Sequence, residues 1–324
     1  MEESIKKISE QFTYEPVIEN QSAYTSSERF ILGGMGGSHL AADILKTRRP
    51  GIELYVHRNY GLPPFDEDFL KSALCIASSY SGNTEETLSF FNEAYEKGLN
   101  IMAVSTGGAL LERAKELGRP YIELPQTGIQ PRMALGYFLI ALATIIKDRE
   151  VLSELGALAT DLKPKESRVE AVELAKSLEN HIPVIYTSAE NVWVAYNWKI
   201  KFNETAKIPA FYNVIPEVNH NEMTGFDSIE STRKLSAPFR FIFIKDSADH
   251  PLIRKRMDIL EKLLEERGHE VISRELSGKT QLERIFNSLT LADWTALELS
   301  TLYGTEPEAV PMVESFKKLL KTND

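Results

Sequence analysis

Three groups of residues in this chain have the types and spacing to do chemistry. The first centres on His220, in the stretch EVNHNEM (217–223), where it stands among two amides and two carboxylates in a chain with six histidines. A metal site would want further His, Cys or carboxylate ligands converging at short spacing, and this stretch offers no H-x-x-x-H or C-x-x-C partner. An imidazole that titrates near neutrality can instead take a hydroxyl proton and return it. The plainest alternative is a polar turn that contains a histidine.

The second group consists of glycines and hydroxyls. In GGMGGSHLAADIL (33–45) four glycines and Ser38 precede a helical pattern with Leu40, Ile44 and Leu45. A strand, a glycine turn and a helix N-terminus leave N–H groups and the positive end of the helix dipole facing an anion. The same turn can serve only to pack strand against helix. It is no dinucleotide fingerprint, because counting from Gly34 the third glycine would fall on His39, and the lysine of a P-loop is missing. Further on, SSYSGNTEETLSFF (78–91) crowds Ser79, Ser81 and Thr84 around Gly82 where a strand meets a helix. Asn83 and Glu86 can act there as a capping pair. Capping does not explain three hydroxyls at the carboxyl end of a strand, the edge where open α/β sheets bind ligands. Gly37, Ser38, Ser79, Ser81 and Thr84 are expected to form a lysine-free phosphate pocket.

The third group is charged. Glu204, in WKIKFNETAKIP (198–209), falls in the last turns of a helix that must end near Pro209. Spacing alone pairs it with Lys201 or Lys207 as a surface ion pair. Arg132 follows Pro131 at the start of an apolar helix, where a positive charge opposes the dipole, so another interaction is expected to hold it. The alternative is a plain surface arginine. Lys317 and Lys318 lie near the end of a C-terminal helix, where lysines complement the dipole.

The elements that must position these groups alternate along the chain. Apolar, β-rich runs at 30–34, 52–56, 73–79, 100–106 and 120–125 are separated by helical patterns. That alternation predicts an open, mostly parallel sheet covered by helices. Helical segments near 131–147 and 150–162 lead to the polar stretch DLKPKES (161–167), where the domain boundary is placed, giving domains of 1–162 and 163–324. The pattern then restarts with strands at 182–188, 209–214, 239–245 and 269–276 and helices around 191–206 and 250–267. The fold class is α/β in both halves, a duplicated architecture without a residue-level repeat.

Composition sets the limits. A chain of 324 residues with 43% hydrophobic content has material for two ordinary cores. A net charge of −10 disfavours nucleic-acid and anionic-membrane partners, which need clustered Lys and Arg. Cys75 is the single cysteine, so no internal disulfide forms, and the opening MEESIKKISEQF carries no leader pattern; the expectation is cytoplasmic. The longest apolar stretch, about 135–146, is too short to cross a bilayer and reads as a buried helix.

GGMGGS paired with SSYSGNTEET resembles the sugar isomerase (SIS) domain, a doubly wound module that binds phosphosugars. TGIQPRMALGY, FNETAKIPAFYN and PEVNHNEMTGFD, in that order, resemble the bifunctional phosphoglucose/phosphomannose isomerase family, built from two SIS domains. The resemblance runs from about Phe30 to the C-terminal helix. It implies a homodimer that interconverts glucose 6-phosphate and mannose 6-phosphate with fructose 6-phosphate through a cis-enediolate, with no metal or cofactor. By the same resemblance Glu204 carries the proton between carbons and Arg132 stabilises the enediolate. His220 opens the sugar ring from the neighbouring subunit. A C-terminal lysine assists it, Lys317 by counting from Pro307, with Lys318 adjacent. Glu222, close to His220 in sequence, is read apart from the resemblance as either orienting the histidine or capping the next helix.

His39 and Leu40 depart from the smaller residues expected of the family, which implies a tighter or more polar pocket floor. The second half has YTSAENVW in place of a glycine turn and hydroxyl pair, so it is expected to supply structure and catalytic residues. Two other readings compete. A non-catalytic SIS phosphosugar sensor would keep the hydroxyl pocket without needing Glu204, Arg132 and His220 together. A zinc-dependent mannose phosphate isomerase belongs to a β-rich fold whose ligands are absent.

Overall fold

The computed structural model describes residues 1–321. After α1 (Glu2–Lys6), the chain runs through β1 (Arg29–Gly34), α2 (Gly37–Arg48), β2 (Glu53–His57), α3 (Glu67–Ser72), β3 (Ala73–Ser78), α4 (Glu85–Glu96), β4 (Asn100–Ser105), α5 (Gly108–Glu116), β5 (Tyr121–Glu123), α6 (Leu135–Ile145) and α7 (Arg149–Asp161). The strands form one parallel sheet in the order β2-β1-β3-β4-β5. Strands covered on both faces read as unbroken apolar runs, and β3 (ALCIAS) is buried at every position. Ile31, Cys75 and Ile101 from the sheet pack with Phe90, Phe91 and Leu110 from α4 and α5. Burial pushes the Cys75 thiol up to about 12, so it stays a protonated, unreactive core residue.

The chain continues through α8 (Ser167–Leu178), β6 (Ile182–Ser188), α9 (Val192–Lys201), β7 (Phe211–Ile215), α10 (Arg233–Ser236), β8 (Phe239–Lys245), α11 (Pro251–Glu266), β9 (Val271–Glu275), α12 (Gln281–Leu302) and α13 (Pro311–Lys321). Its four strands are parallel, in the order β7-β6-β8-β9. Val184, Tyr186, Phe241 and Phe243 of this sheet pack on Met257, Leu260 and Leu264 of α11. Helix α8 is absent from the sequence-based reading. Two of its four buried positions are Ala171 and Ala175, and alanines leave a weak apolar stripe.

Both sheets wind alike: a central strand is followed by its neighbour on one side, and the third strand then starts on the other side. Two doubly wound layers are therefore present, and the repeat invisible in the residues is visible in the topology. The compact units are Lys6–Leu162 with Thr280–Leu282, and Met1–Ile5 with Lys163–Lys279 and the chain from Glu283 onward. The strand order of each sheet reverses once, between β1 and β3 in the first and between β6 and β8 in the second, and such reversals open a crevice at the carboxyl ends of the strands.

One buried charge pair anchors the end of α9. Lys201 Nζ lies 2.5 Å from Asp293 Oδ1 on α12, with both side chains almost wholly removed from water. Removing one partner strands the other charge in the core. Asp293→Ala is therefore expected to destabilise the protein by about 3–5 kcal/mol in urea unfolding, whereas an apolar pair at 201 and 293 recovers most of the loss.

Candidate active site

The two turns singled out in the first half both lie at the reversal of the first sheet, after β1 and after β3. Helix α2 starts at Gly37 and α4 at Glu85, and no side chain caps either N-terminus; the Ser38 N–H is instead taken by the Met35 carbonyl at 3.1 Å. Ser38 ties the turns together, its hydroxyl accepting the Tyr80 N–H at 2.9 Å while its carbonyl accepts the Ser78 hydroxyl at 2.8 Å. Ser79 is buried, its hydroxyl 2.8 Å from that of Thr84 and accepting the Gly82 N–H at 3.1 Å. Ser81 is exposed at the tip. The hydroxyls thus divide: Ser38 and Ser79 shape the turns from inside, while Ser81 and the half-buried Thr84 have surface to offer.

The expected capping pair does not form. Asn83 instead reaches sideways, its Oδ1 accepting the Ala109 N–H of the next strand-to-helix turn and its Nδ2 donating to the Ser81 carbonyl. His39 is buried in the first turn of α2. Its Nδ1 is 2.6 Å from Asp43 Oδ2, and Arg58 donates to the same carboxylate.

Arg132 sits in the short 3-10 turn Pro131–Met133 that leads into α6, and it is buried, which removes the surface-arginine alternative. The backbone of this turn abuts the glycine turn: a Cβ added at Gly37 would come within 2.8 Å of the Pro131 carbonyl oxygen and 3.1 Å of the Arg132 nitrogen. The packing that requires glycine at 37 is thus the packing that brings Arg132 beside the crevice.

Glu204 occupies a π-helical turn, Phe202–Ala206, that widens the end of α9. Such turns are rare and concentrate at functional sites. The turn closes through Lys207 in the left-handed region, whose Nζ donates to the main-chain carbonyl of Glu204 at 2.5 Å. Lys201, the other partner suggested by spacing, is turned into the core toward Asp293. Asn203 holds Ile208 against the turn through its carbonyl, so Glu204 lies close to the start of β7.

His220 is exposed and lies just past the far end of β7, at the last residue of a 3-10 turn, Glu217–His220. The five residues of β7 span roughly 13 Å at about 3.3 Å per residue, with the Glu204 turn before the strand and the His220 turn after it. Glu222 neither caps nor is seen to contact the imidazole. Its carboxylate accepts the Tyr186 hydroxyl at 2.7 Å and the Asn213 amide at 2.5 Å, while Asn221 caps the following turn. Sequence reasoning missed Tyr186 and Asn213. The available signal was a tyrosine inside an apolar central strand, whose hydroxyl must find a partner.

Lys317 and Lys318 lie on α13, where every residue from 311 to 320 is exposed. At about 100° per residue, Met312, Val313, Phe316, Leu319 and Leu320 share one face; Lys317 flanks it and Lys318 lies opposite.

At the reversal of the second sheet the donors are already spent. Asp249 accepts the Asn191 amide at 3.2 Å and the Asp246 N–H at 3.1 Å, and burial raises its carboxyl above the usual range. Among the described residues, no three His, Cys, Asp or Glu side chains gather as a metal site, and no helix is long and apolar enough to cross a membrane.

Gly37→Ala tests the packing of the two turns. The added methyl must push the Pro131–Arg132 backbone away, so substrate turnover is expected to fall about tenfold or more while circular dichroism stays near native.

Comparison with known proteins follows the same lines. Residues 168–320 match the family model described as the bacterial phospho-glucose isomerase C-terminal SIS domain. The chain is 35% identical over 318 residues to the bifunctional phosphoglucose/phosphomannose isomerase of Aquifex aeolicus, covering 96% of this chain and 95% of the relative. It is 34% identical to the protein of the same name from Caldicellulosiruptor bescii, over 90% of this chain and 89% of the relative. The crystal structure of a hypothetical protein from Thermus thermophilus shares the fold with a TM-score of 0.72 at 17% identity, covering 99% of this chain and 88% of that one. With identity above 30% sustained along almost the full length of both proteins, the chain belongs to the bifunctional phosphoglucose/phosphomannose isomerase family.

Proposed function

We propose that this protein is an aldose–ketose isomerase that interconverts glucose 6-phosphate and mannose 6-phosphate with fructose 6-phosphate. The observation that carries the reading is a crevice of hydroxyls and uncapped helix N-termini beside buried Arg132, in a chain of this family. The first-turn N–H groups of α2 and α4 other than that of Ser38, with Ser81 and Thr84, hold the phosphate dianion, while Ser38 and Ser79 keep both turns in register.

The chemistry then needs three tasks. In ring opening a proton leaves the anomeric hydroxyl, the C1–O5 bond breaks and O5 gains a proton; an imidazole relays these protons. In isomerisation the Glu204 carboxylate takes the C2 proton and returns it to C1, while the O2 hydroxyl proton passes to O1, so that the carbonyl moves from C1 to C2. Between those events the charge of the enediolate rests on its oxygens, where the Arg132 guanidinium stabilises it. A planar enediolate has lost the C2 configuration, so one base serves both epimers.

Ring opening and proton transfer occur at neighbouring atoms, yet β7 separates Glu204 from His220 in one chain. The reading therefore takes His220 from a second copy, making the working unit a homodimer. The helical phase of α13 supports Lys317 as the lysine that joins it, since Lys317 borders the apolar face and Lys318 lies opposite.

A coupled assay tests the activity: turnover of both hexose 6-phosphates is expected, unchanged by chelator, and loss of activity on chelation would overturn the reading. Glu204→Gln is expected to lower kcat by about 10²–10⁴-fold with substrate binding retained. The shared site has its own test. Mixing inactive Glu204→Gln with impaired His220→Ala protein under subunit exchange should give activity above either parent, because one site of each mixed dimer then holds both native residues. Activity no higher than the parents' would rule out sharing.

A further inference from the structure

Glu222 is absorbed by none of the chemistry above, although it lies two residues from His220. Its surroundings are specific. Tyr186 is fully buried in the middle of the second core, and its hydroxyl donates to Glu222 Oε1 at 2.7 Å. Asn213 Nδ2 donates to Glu222 Oε2, and the Asn213 amide cannot turn over without loss, because its Oδ1 already accepts the Val214 N–H at 2.8 Å. Burial and the adjacent carboxylate push the Tyr186 phenol far up, so it remains a donor at any working pH. Two fixed donors therefore face position 222. Only a carboxylate presents an acceptor to each.

We propose that Glu222 is the positioning residue for His220, clamping the segment that carries the histidine onto strands β6 and β7. The segment's apolar anchors lie on either side: Val218 is wholly buried before His220, and Met223 and Phe226 pack on the same core after it. Between them the chain passes through His220, Asn221 and Glu222, where side chains must hold it. Asn221 shapes the turn locally, its Nδ2 donating to Glu217 and its Oδ1 accepting the Glu222 N–H. The carboxylate of Glu222 ties that turn to the sheet. It thereby limits where an exposed imidazole can be presented. The proposal rests on the reading of His220 as the ring-opening residue.

The donor and acceptor order gives a test that a merely structural role would fail. Glu222→Gln replaces one of the two acceptors with an amide N–H, so either the Asn213 amide or the Tyr186 O–H loses its acceptor, and Asn213→Asp sets two carboxylates against each other. Each single variant is expected to lose about ten- to hundredfold in turnover of ring-closed substrate. Each should also raise hydrogen exchange at amides 219–223, read by mass spectrometry. In the double variant Glu222→Gln/Asn213→Asp the roles are exchanged, so a donor again meets an acceptor, and both readouts should return toward wild type. Wild-type exchange in the single variants, or no recovery in the double, overturns the clamp. If exchange follows the predicted order while His220→Ala does not affect ring-closed substrate, the clamp stands and the role of His220 falls.

Discussion

In a parallel sheet every strand points the same way, and that single direction decides which side chains of this protein can meet. All strand carboxyl ends share one edge, so turns that follow β1 and β3 become neighbours although more than forty residues separate Gly34 from Ser78. The helices return antiparallel to the strands, so whatever ends a helix falls at the opposite edge. The Ser38 and Ser79 turns lie at the carboxyl edge of their sheet. Glu204, at the end of α9, lies near the amino edge of its own, and His220, after β7, lies at the carboxyl edge. The length of a strand thus lies between these two turns within one chain.

Accounting for donors and acceptors explains the rest of the local structure. Buried polar groups that lack partners cost free energy, and several polar groups here are paired between turns far apart in the chain. Asn83 joins the β3 turn to the β4 turn, and Ser38 joins the β1 turn to the β3 turn. The second sheet uses the same winding to a different end. Its crevice donors are given to Asp249, while its tyrosine and asparagine are given to Glu222. A duplicated topology has thus diverged into one half whose crevice helices carry no side-chain caps and one half where crevice donors meet the protein's own carboxylates.

The strand pattern was legible because parallel strands buried on both faces leave apolar runs of five to seven residues, as in ALCIAS and FRFIFIK. The glycine and hydroxyl turns were legible because a tight strand-to-helix turn restricts residue choice. Helix α8 was not, since its buried face is partly alanine. The capping pair at Asn83 and Glu86 was misread because local spacing favours a local bond, whereas a neighbouring turn offered Asn83 a better one. Lys201 was misread for a similar reason: its helical neighbour Glu204 is close in sequence, but Asp293 is close in the core.

The residues by themselves determined the α/β class, the place of the glycine and hydroxyl turns and the family, because each depends on patterns within a few residues or on ordered motifs. Only the tertiary structure decided that Arg132 packs against Gly37, that Glu204 rides on a π-turn, that Glu222 is held by Tyr186 and Asn213, and that β7 parts Glu204 from His220. These are contacts and separations between segments distant in the chain, set by strand direction and burial, and no local spacing encodes them.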